Sequence, residues 1–144
     1  GSKEAAESHS TLKSFNITHV LNVTEEIDIR YDKKLRIKSL KIPIKDSNFY
    51  DIASQFEGAF SFIDNALLGD SKNAVLVHCY YGVSRSSTIV IAYLMYREGL
   101  SLDDAYRYLR HVRPKIRPND GFMKQLQSYD KQLFEAVQLL TQSQ

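Results

Sequence analysis

The chain has 144 residues, of which 43% are hydrophobic and 25% charged, and its formal net charge is +2. These values are ordinary for one soluble domain and exclude a disordered or fibrous chain. So small a net charge indicates no nucleic-acid partner, and the apolar runs are far shorter than the ~20 residues of a membrane span. A single cysteine, Cys79, excludes an internal disulfide and is therefore either a core thiol or a reactive one.

We expect one domain over residues 1–144, because no repeat, low-complexity tract or linker interrupts the chain. The start at Gly1-Ser2 without methionine suggests that flanking segments are missing. No signal-peptide pattern opens the sequence, so the expected location is cytoplasmic or nuclear.

The first third of the chain predicts a short helix and two strands. Ala5 to Ser14 favours the helix, and ITHVLNVT, from Ile17 to Thr24, favours a strand. Leu35 to Ile44 alternates apolar and basic residues, and Pro43 places its end near a sheet margin. The basic residues between Arg30 and Lys45, which include only Asp32 as an acid, fit either the solvated face of an edge strand or a docking surface for acidic phosphoproteins.

The remaining chain predicts helices around one further strand. Ile52 to Leu68 has the spacing of an amphipathic helix, closed by Gly69 as a C-cap, and Ala74 to His78 reads as a fully buried strand. Because strands alternate with helices, we predict an α/β fold in which helices cover a mixed sheet.

Three helices are predicted after that strand. The first is capped by Ser86 or Ser87 and stops at Gly99, and the second begins at Ser101. Asn119 or Asp120 caps the third. The apolar stripe of this last helix consists of Leu126, Tyr129, Leu133, Val137 and Leu140.

The segment HCYYGVSRS, residues 78–86, lies between the buried strand and a helix start. Five residues separate Cys79 from Arg85, which allows a loop whose backbone N–H groups converge on an anion, with the helix dipole behind them. Gly82 permits a positive φ, and Arg85 offers a planar fork that matches two phosphate oxygens. The segment therefore predicts an oxyanion receptor with sulfur at its floor.

Such a floor lowers the cysteine pKa from ~8.5 into the range of ~3.5–7.5 and favours the thiolate, which is the nucleophile. His78 is expected to orient this network. A buried inert thiol is the alternative for an isolated cysteine, but cysteine, glycine, arginine and serine at this spacing favour a nucleophile. No second cysteine and no paired histidine spacing exist, so we expect no metal site.

HCYYGVSRS resembles the HCxxGxSRS signature of the dual-specificity phosphatases, within the cysteine-dependent HCx5R protein tyrosine phosphatase superfamily. Similar blocks extend over nearly the whole chain: ITHVLNVT, KIPIKDS, LVHC, SRSSTIVIAYLM, DDAYRYLR and RPKIRPNDGFMKQL. The resemblance implies a single α/β domain with a central, mostly parallel mixed sheet and helices on both faces. It also implies hydrolysis of phosphotyrosine and phosphoserine or phosphothreonine in proteins, through a phosphocysteine and without cofactor or metal.

By position, the resemblance implies that Cys79 is the nucleophile, Arg85 the phosphate clamp and Ser86 the hydroxyl that stabilises the departing thiolate. The implied phosphate cradle is the backbone of Tyr80, Tyr81, Gly82, Val83, Ser84 and Arg85. The Tyr80 and Tyr81 side chains either line the pocket or pack within the loop.

The leaving oxygen needs a proton, which a positioned acid supplies. Asp46, in KIPIKDSNFYD, matches the family's general acid, with Asp51 as its competitor; an Asx turn is compatible with Asp46 in either case. Asn119, in RPND, either braces the site or caps a helix. Three further basic residues form a second rim or are simply solvated: His111, Arg113 and Arg117.

The loop positions that carry lysines in phosphoinositide phosphatases hold Tyr80, Tyr81 and Val83, which disfavours lipid substrates. The short chain leaves no room for pocket-deepening loops, so the family implies a shallow site and phosphoprotein partners in signalling. Two rivals stay open: a module that captures phosphoproteins without hydrolysis, and an RNA or glucan phosphatase that uses the same chemistry.

Overall fold

A three-stranded parallel sheet organises the computed structural model, which describes residues 1–143. Its strands are β1 (His19–Asn22), β2 (Lys38–Lys41) and β3 (Val75–His78). The α-helices are α1 (Lys3–Glu7), α2 (His9–Ser14), α3 (Phe56–Gly69), α4 (Arg85–Glu98), α5 (Leu102–Val112) and α6 (Asp120–Gln142). Short 3₁₀ turns at Lys33–Leu35 and Ala53–Gln55 precede β2 and α3.

The strand order β2-β1-β3 brings three loops to one edge of the sheet. Asn22, the last residue of β1, pairs in register with Lys41 on one side and His78 on the other. Because parallel strands end at the same edge, the segments that follow them begin side by side. Residues 23–27, 42–46 and 79–84 therefore meet at this edge.

Helices cover both faces of the sheet. Leu21 and Val77, which alternate to the same face, belong to a main core that α3, α4, α5 and α6 complete. Val20 points to the opposite face and is buried outside that core, as are Ala6 and Leu12 in α1 and α2. The α/β architecture expected from the alternation of strands and helices is confirmed.

The sheet that we expected to be mixed but mostly parallel contains only parallel strand pairs among residues 1–143. The edge position of the basic strand is confirmed: β2 pairs with β1 alone, and Lys38 is exposed. The predicted first helix is two helices, because the Ser8 hydroxyl accepts a hydrogen bond from the Thr11 amide and caps a new start.

Two predicted helix ends are wrong. Gly69 is the last residue of α3, and Asp70 follows it in extended conformation, so no left-handed glycine caps this helix. The start of α4 lies at Arg85 after Ser84, and neither Ser86 nor Ser87 is its N-cap. The caps at Gly99, with φ of 68°, and at Ser101 are confirmed.

The apolar stripe of α6 is buried only in its first half. Leu126 is fully buried, whereas Val137 and Leu140 are exposed. Within the described part of the chain, no helix is both long enough and apolar enough to cross a bilayer.

Candidate active site

Cys79 directly follows β3, and α4 begins six residues later at Arg85. The intervening loop turns through Gly82, whose φ is 70°. A side chain there is disfavoured by the positive φ and by space, because a Cβ atom would lie 2.5 Å from Nη2 of Arg113 and 2.6 Å from the Gly1 carbonyl oxygen. The sequence prediction of a glycine turn at this position is confirmed.

The carbonyl groups of this loop are held from outside. Arg113 donates from Nε to the Gly82 oxygen and from Nη2 to the Tyr81 oxygen, both at 3.1 Å. The Tyr80 carbonyl accepts a hydrogen bond from the Lys3 amide. The Val83 carbonyl accepts from the Arg117 amide and the Ser87 hydroxyl, and the Ser84 carbonyl accepts from the Ser87 and Thr88 hydroxyls. Carbonyls fixed in this way leave the amides free to face the interior of the loop.

No oxygen atom of residues 1–143 accepts a hydrogen bond from the backbone amides of residues 80–85. The Cys79 amide is different, since it donates to the Gly1 carbonyl at 3.2 Å. Among these six consecutive amides, that of Gly82 faces Sγ of Cys79 and the other five are uncommitted, an arrangement at a helix start that is typical of an anion-binding nest. The geometry therefore fits the cradle that the sequence predicts.

Cys79 lies at the floor of this loop and is only 2% exposed. Burial by itself raises the pKa of its thiol. Hydrogen bonds from the Ser86 hydroxyl, at 3.2 Å from Sγ, and from the Ser86 and Gly82 amides act together with the Arg85 charge to outweigh burial, so the pKa of the thiol is below its ordinary value. The direction of this pKa shift favours the expected thiolate, and Ser86 contacts the sulfur as the nucleophile's partner should.

Arg85 uses one edge of its guanidinium for structure and leaves the other uncommitted. Nη1 donates to Glu26 Oε2 at 2.8 Å and to the Ile44 carbonyl at 2.9 Å, and Nη2 donates to Glu26 Oε1 at 2.5 Å. Nε is buried and has no partner in the described residues, and one N–H of Nη2 is also uncommitted. These two donors lie on the same edge and form a fork for two phosphate oxygens.

His78 contacts the backbone of Cys79 and not its sulfur. The ring is fully buried, and burial lowers its pKa, so the imidazole is neutral. Its Nδ1 lies 3.1 Å from the Cys79 carbonyl oxygen, which can only accept, and Nδ1 therefore carries the proton. His78 thus orients the carbonyl beside the nucleophile.

Asp46 lies in the loop after β2 and is held by the last helix. The Asn119 side chain donates from Nδ2 to Asp46 Oδ1 at 2.9 Å, while its Oδ1 accepts from the Phe122 amide at 2.8 Å. The Asn119 backbone amide also donates to the Ser84 hydroxyl at 2.9 Å. Both interpretations of Asn119, as brace and as helix cap, are therefore present in one residue.

The other candidate residues have different places in the structure. Asp51 caps the turn before α3 through the Ser54 amide and has no contact with Asn119. Tyr80 and Tyr81 are 39% and 69% exposed and pack against each other at the rim of the loop. Arg113 is not a simple solvated charge, since it holds two loop carbonyls.

Sequence reasoning missed Glu26 entirely. Glu26 lies 59 residues from Arg85 in sequence. The Asn22 side chain donates from Nδ2 to the Ile27 carbonyl at 2.7 Å and thereby fixes the turn that carries Glu26. The acidic pair Glu25-Glu26 directly after a predicted strand is the signal that was available, because strand ends meet at one edge.

Residues 1–132 match the family described as dual specificity phosphatase, catalytic domain, and the chain belongs to this family. It is 46% identical over 122 residues to the dual specificity protein phosphatase Mpk3 of Drosophila melanogaster, covering 85% of this chain and 29% of that protein. It is 39% identical over 133 residues to the dual specificity protein phosphatase 1B of Arabidopsis thaliana, covering 92% and 77%. The crystal structure of human DUSP28 is similar, with a TM-score of 0.86, 30% identity and coverage of 94% and 92%.

The chain thus spans less than a third of the fly relative's length and about three quarters of the plant relative's. Family membership and fold rest on the catalytic domain alone.

Proposed function

We propose that this domain hydrolyses phosphate esters of tyrosine and of serine or threonine in proteins, through a phosphocysteine. The observation that carries the proposal is the uncommitted edge of Arg85 in the same loop as the Cys79 thiol and a run of backbone amides that donate to no oxygen of residues 1–143. Together these groups bind the non-bridging oxygens of a phosphoryl group and leave its phosphorus open to the sulfur.

In the first step the Cys79 thiolate attacks phosphorus, the bond from phosphorus to the side-chain oxygen breaks, and Asp46 protonates the departing oxygen. In the second step Asp46 accepts a proton from water as the water oxygen attacks phosphorus. The sulfur–phosphorus bond then breaks and inorganic phosphate leaves. The Ser86 hydroxyl, 3.2 Å from Sγ, stabilises the thiolate that re-forms.

Two features support protein substrates. The exposed Tyr80 and Tyr81 give the rim an aromatic, uncharged surface, and no lysine occupies the loop between Cys79 and Arg85 to grip additional phosphate groups. A catalytic thiolate must also stay reduced, which supports action in the cytoplasm or nucleus.

Hydrolysis of para-nitrophenyl phosphate and of phosphotyrosine, phosphoserine and phosphothreonine peptides tests the proposal. The native protein and Cys79→Ser are compared in the presence of a chelator. We expect turnover by the native protein only, and binding without turnover by Cys79→Ser. Binding without turnover by both proteins would identify a capture module and contradict the proposed hydrolysis.

A further inference from the structure

A groove of about 660 Å³ lies between α3 and α6, away from the loop of residues 79–85, the phosphate loop. Its floor is aromatic: Phe60 stacks on Tyr96 with ring centroids 5.0 Å apart, and Phe56 contacts Tyr129 edge-to-face at 5.1 Å. Phe56 and Phe60 are buried, but Tyr96 is 45% exposed and offers a ring face to an incoming group. Nothing in the chemistry of phosphate transfer uses this surface.

The charge of the groove is opposite to that of the chain. Three carboxylates line it, Asp51, Glu57 and Asp64, against one cation, Lys124. The whole chain has a net charge of +2, so this local excess of negative charge stands out. Carboxylates around exposed aromatic rings favour arginine or lysine, whose aliphatic stems pack on the rings while the charge pairs with the acids.

The groove is connected to the active site through α6. Asn119, which holds Asp46, precedes the helix, and Gln125, which lines the groove, binds the Tyr50 carbonyl at 2.7 Å and the Ala53 amide at 3.0 Å. Arg85 and Tyr96, which lines the groove, are 11 positions apart on α4, which corresponds to about 16 Å along the helix axis. An extended peptide covers that distance in about five residues, at ~3.3 Å per residue.

We propose that this groove is a substrate-docking site for a segment carrying arginine or lysine beside an apolar residue, about five to eight residues from the phosphorylated side chain. The inference rests on the proposed phosphatase function and narrows its substrates to phosphoproteins with such a basic segment. The phosphate binds at Arg85 and the segment binds at Glu57 and Tyr96, so affinity and not the chemical step depends on the groove.

Paired phosphotyrosine peptides test the docking site, one with an Arg-Leu pair at this distance, on either side of the phosphotyrosine, and one with Ala-Ala instead. The native protein should hydrolyse the basic peptide with a kcat/KM about three- to tenfold higher, through KM, as expected for an ion pair combined with a cation–π contact. Glu57→Gln should reduce this preference and Glu57→Lys should abolish it. Glu57 is exposed and makes no ion pair among residues 1–143, so both variants should fold.

The control is Glu135→Gln, an exposed carboxylate on α6 outside the groove, which should keep the native preference. Hydrolysis of para-nitrophenyl phosphate should be unchanged in all these variants. Equal kcat/KM for both peptides, or a preference that survives Glu57→Lys, would overturn the docking site while leaving the phosphatase function intact. Peptide binding to Cys79→Ser measures the same preference without turnover, so loss of hydrolysis alone does not decide it.

Discussion

The Glu26 carboxylate binds the end of the Arg85 guanidinium through two N–H groups, at 2.8 and 2.5 Å, and thereby determines which edge of Arg85 faces the phosphate loop. The arginine side chain is 7% exposed, so its rotamer is fixed by this pair and by the Ile44 carbonyl. Glu26 is thus a positioning residue, because it acts on the reacting groups through Arg85.

Replacing Glu26 with Gln should lower kcat/KM about 10- to 100-fold, the usual effect of removing a group that orients a functional side chain. The amide still accepts one hydrogen bond from Arg85, so the fold should persist. Glu25→Gln is the matched control, since only the backbone of Glu25 is bonded and its side chain makes no hydrogen bond or ion pair among residues 1–143. Steady-state kinetics with a phosphopeptide and thermal unfolding of both variants check this, and equal kinetics for the two would contradict the positioning role.

The ion pair between Glu26 and Arg85 should make the free energy of unfolding depend on pH. The hydrogen bond from Arg85 lowers the pKa of Glu26 in the folded protein below its ordinary value. A carboxylate whose pKa is lower in the folded than in the unfolded protein stabilises the fold at pH values above its unfolded-state pKa. This stabilisation is lost as the pH falls through the folded-state pKa. In unfolding experiments between pH 7 and pH 3, Glu26→Gln should therefore lose less stability than the native protein.

The lowered pKa of Cys79 should be measurable by alkylation with iodoacetamide as a function of pH. Because the thiolate reacts, the rate should stay high below the ordinary thiol pKa and fall as the pH drops through the folded value. Ser86→Ala removes a hydrogen bond that favours the thiolate, so its midpoint should move to higher pH, and Ser86→Thr should restore it. An unchanged midpoint in Ser86→Ala would exclude this role of the hydroxyl.

The parts of the site that sequence predicts are local. The loop from Cys79 to Arg85 places nucleophile, cradle and clamp within a few consecutive residues, and its shape follows from one glycine and one helix start. Glu26 could not be distinguished from Glu25, because only the parallel pairing of β1 and β3 brings it to Arg85. The sequence does not distinguish Arg113 from other surface cations, because its role depends on hydrogen bonds to two carbonyls that lie 31 and 32 residues earlier in the chain.

The double role of Asn119 separates stability from catalysis. Asn119→Ala removes both the cap and the bond to Asp46 and should cost about 1 kcal/mol in free energy of unfolding, the typical loss for an N-cap. Asn119→Ser keeps a capping oxygen but has no group that reaches Asp46, so it should be nearly as stable as the native protein. Both variants should slow substrates with poor leaving groups. Native kinetics in Asn119→Ser would show that the brace is dispensable.

Gly121 permits the close approach of α6 to the loop that carries Asp46. A Cβ atom there would lie within 2.7 Å of three backbone atoms of Asn48, which cannot move without displacing the loop. Gly121→Ala should therefore impair hydrolysis of serine and threonine phosphopeptides. Gly69→Ala is the control, because its Cβ would meet only the Asn73 side chain at 4.0 Å. Equal activity of the two variants would contradict the importance of this contact.

The assignment of Asp46 as the proton donor makes a prediction about leaving groups. An alkoxide or phenoxide of high pKa departs poorly without a proton, whereas para-nitrophenolate does not need one. Asp46→Ala should therefore slow phosphoserine and phosphotyrosine peptides by about 10²–10⁴-fold and aryl phosphates with acidic phenols far less. Asp51→Ala, which removes the competing carboxylate of the same loop region, should leave this dependence unchanged. A series of substituted phenyl phosphates measures it, and equal slowing across the series would exclude Asp46 as the acid.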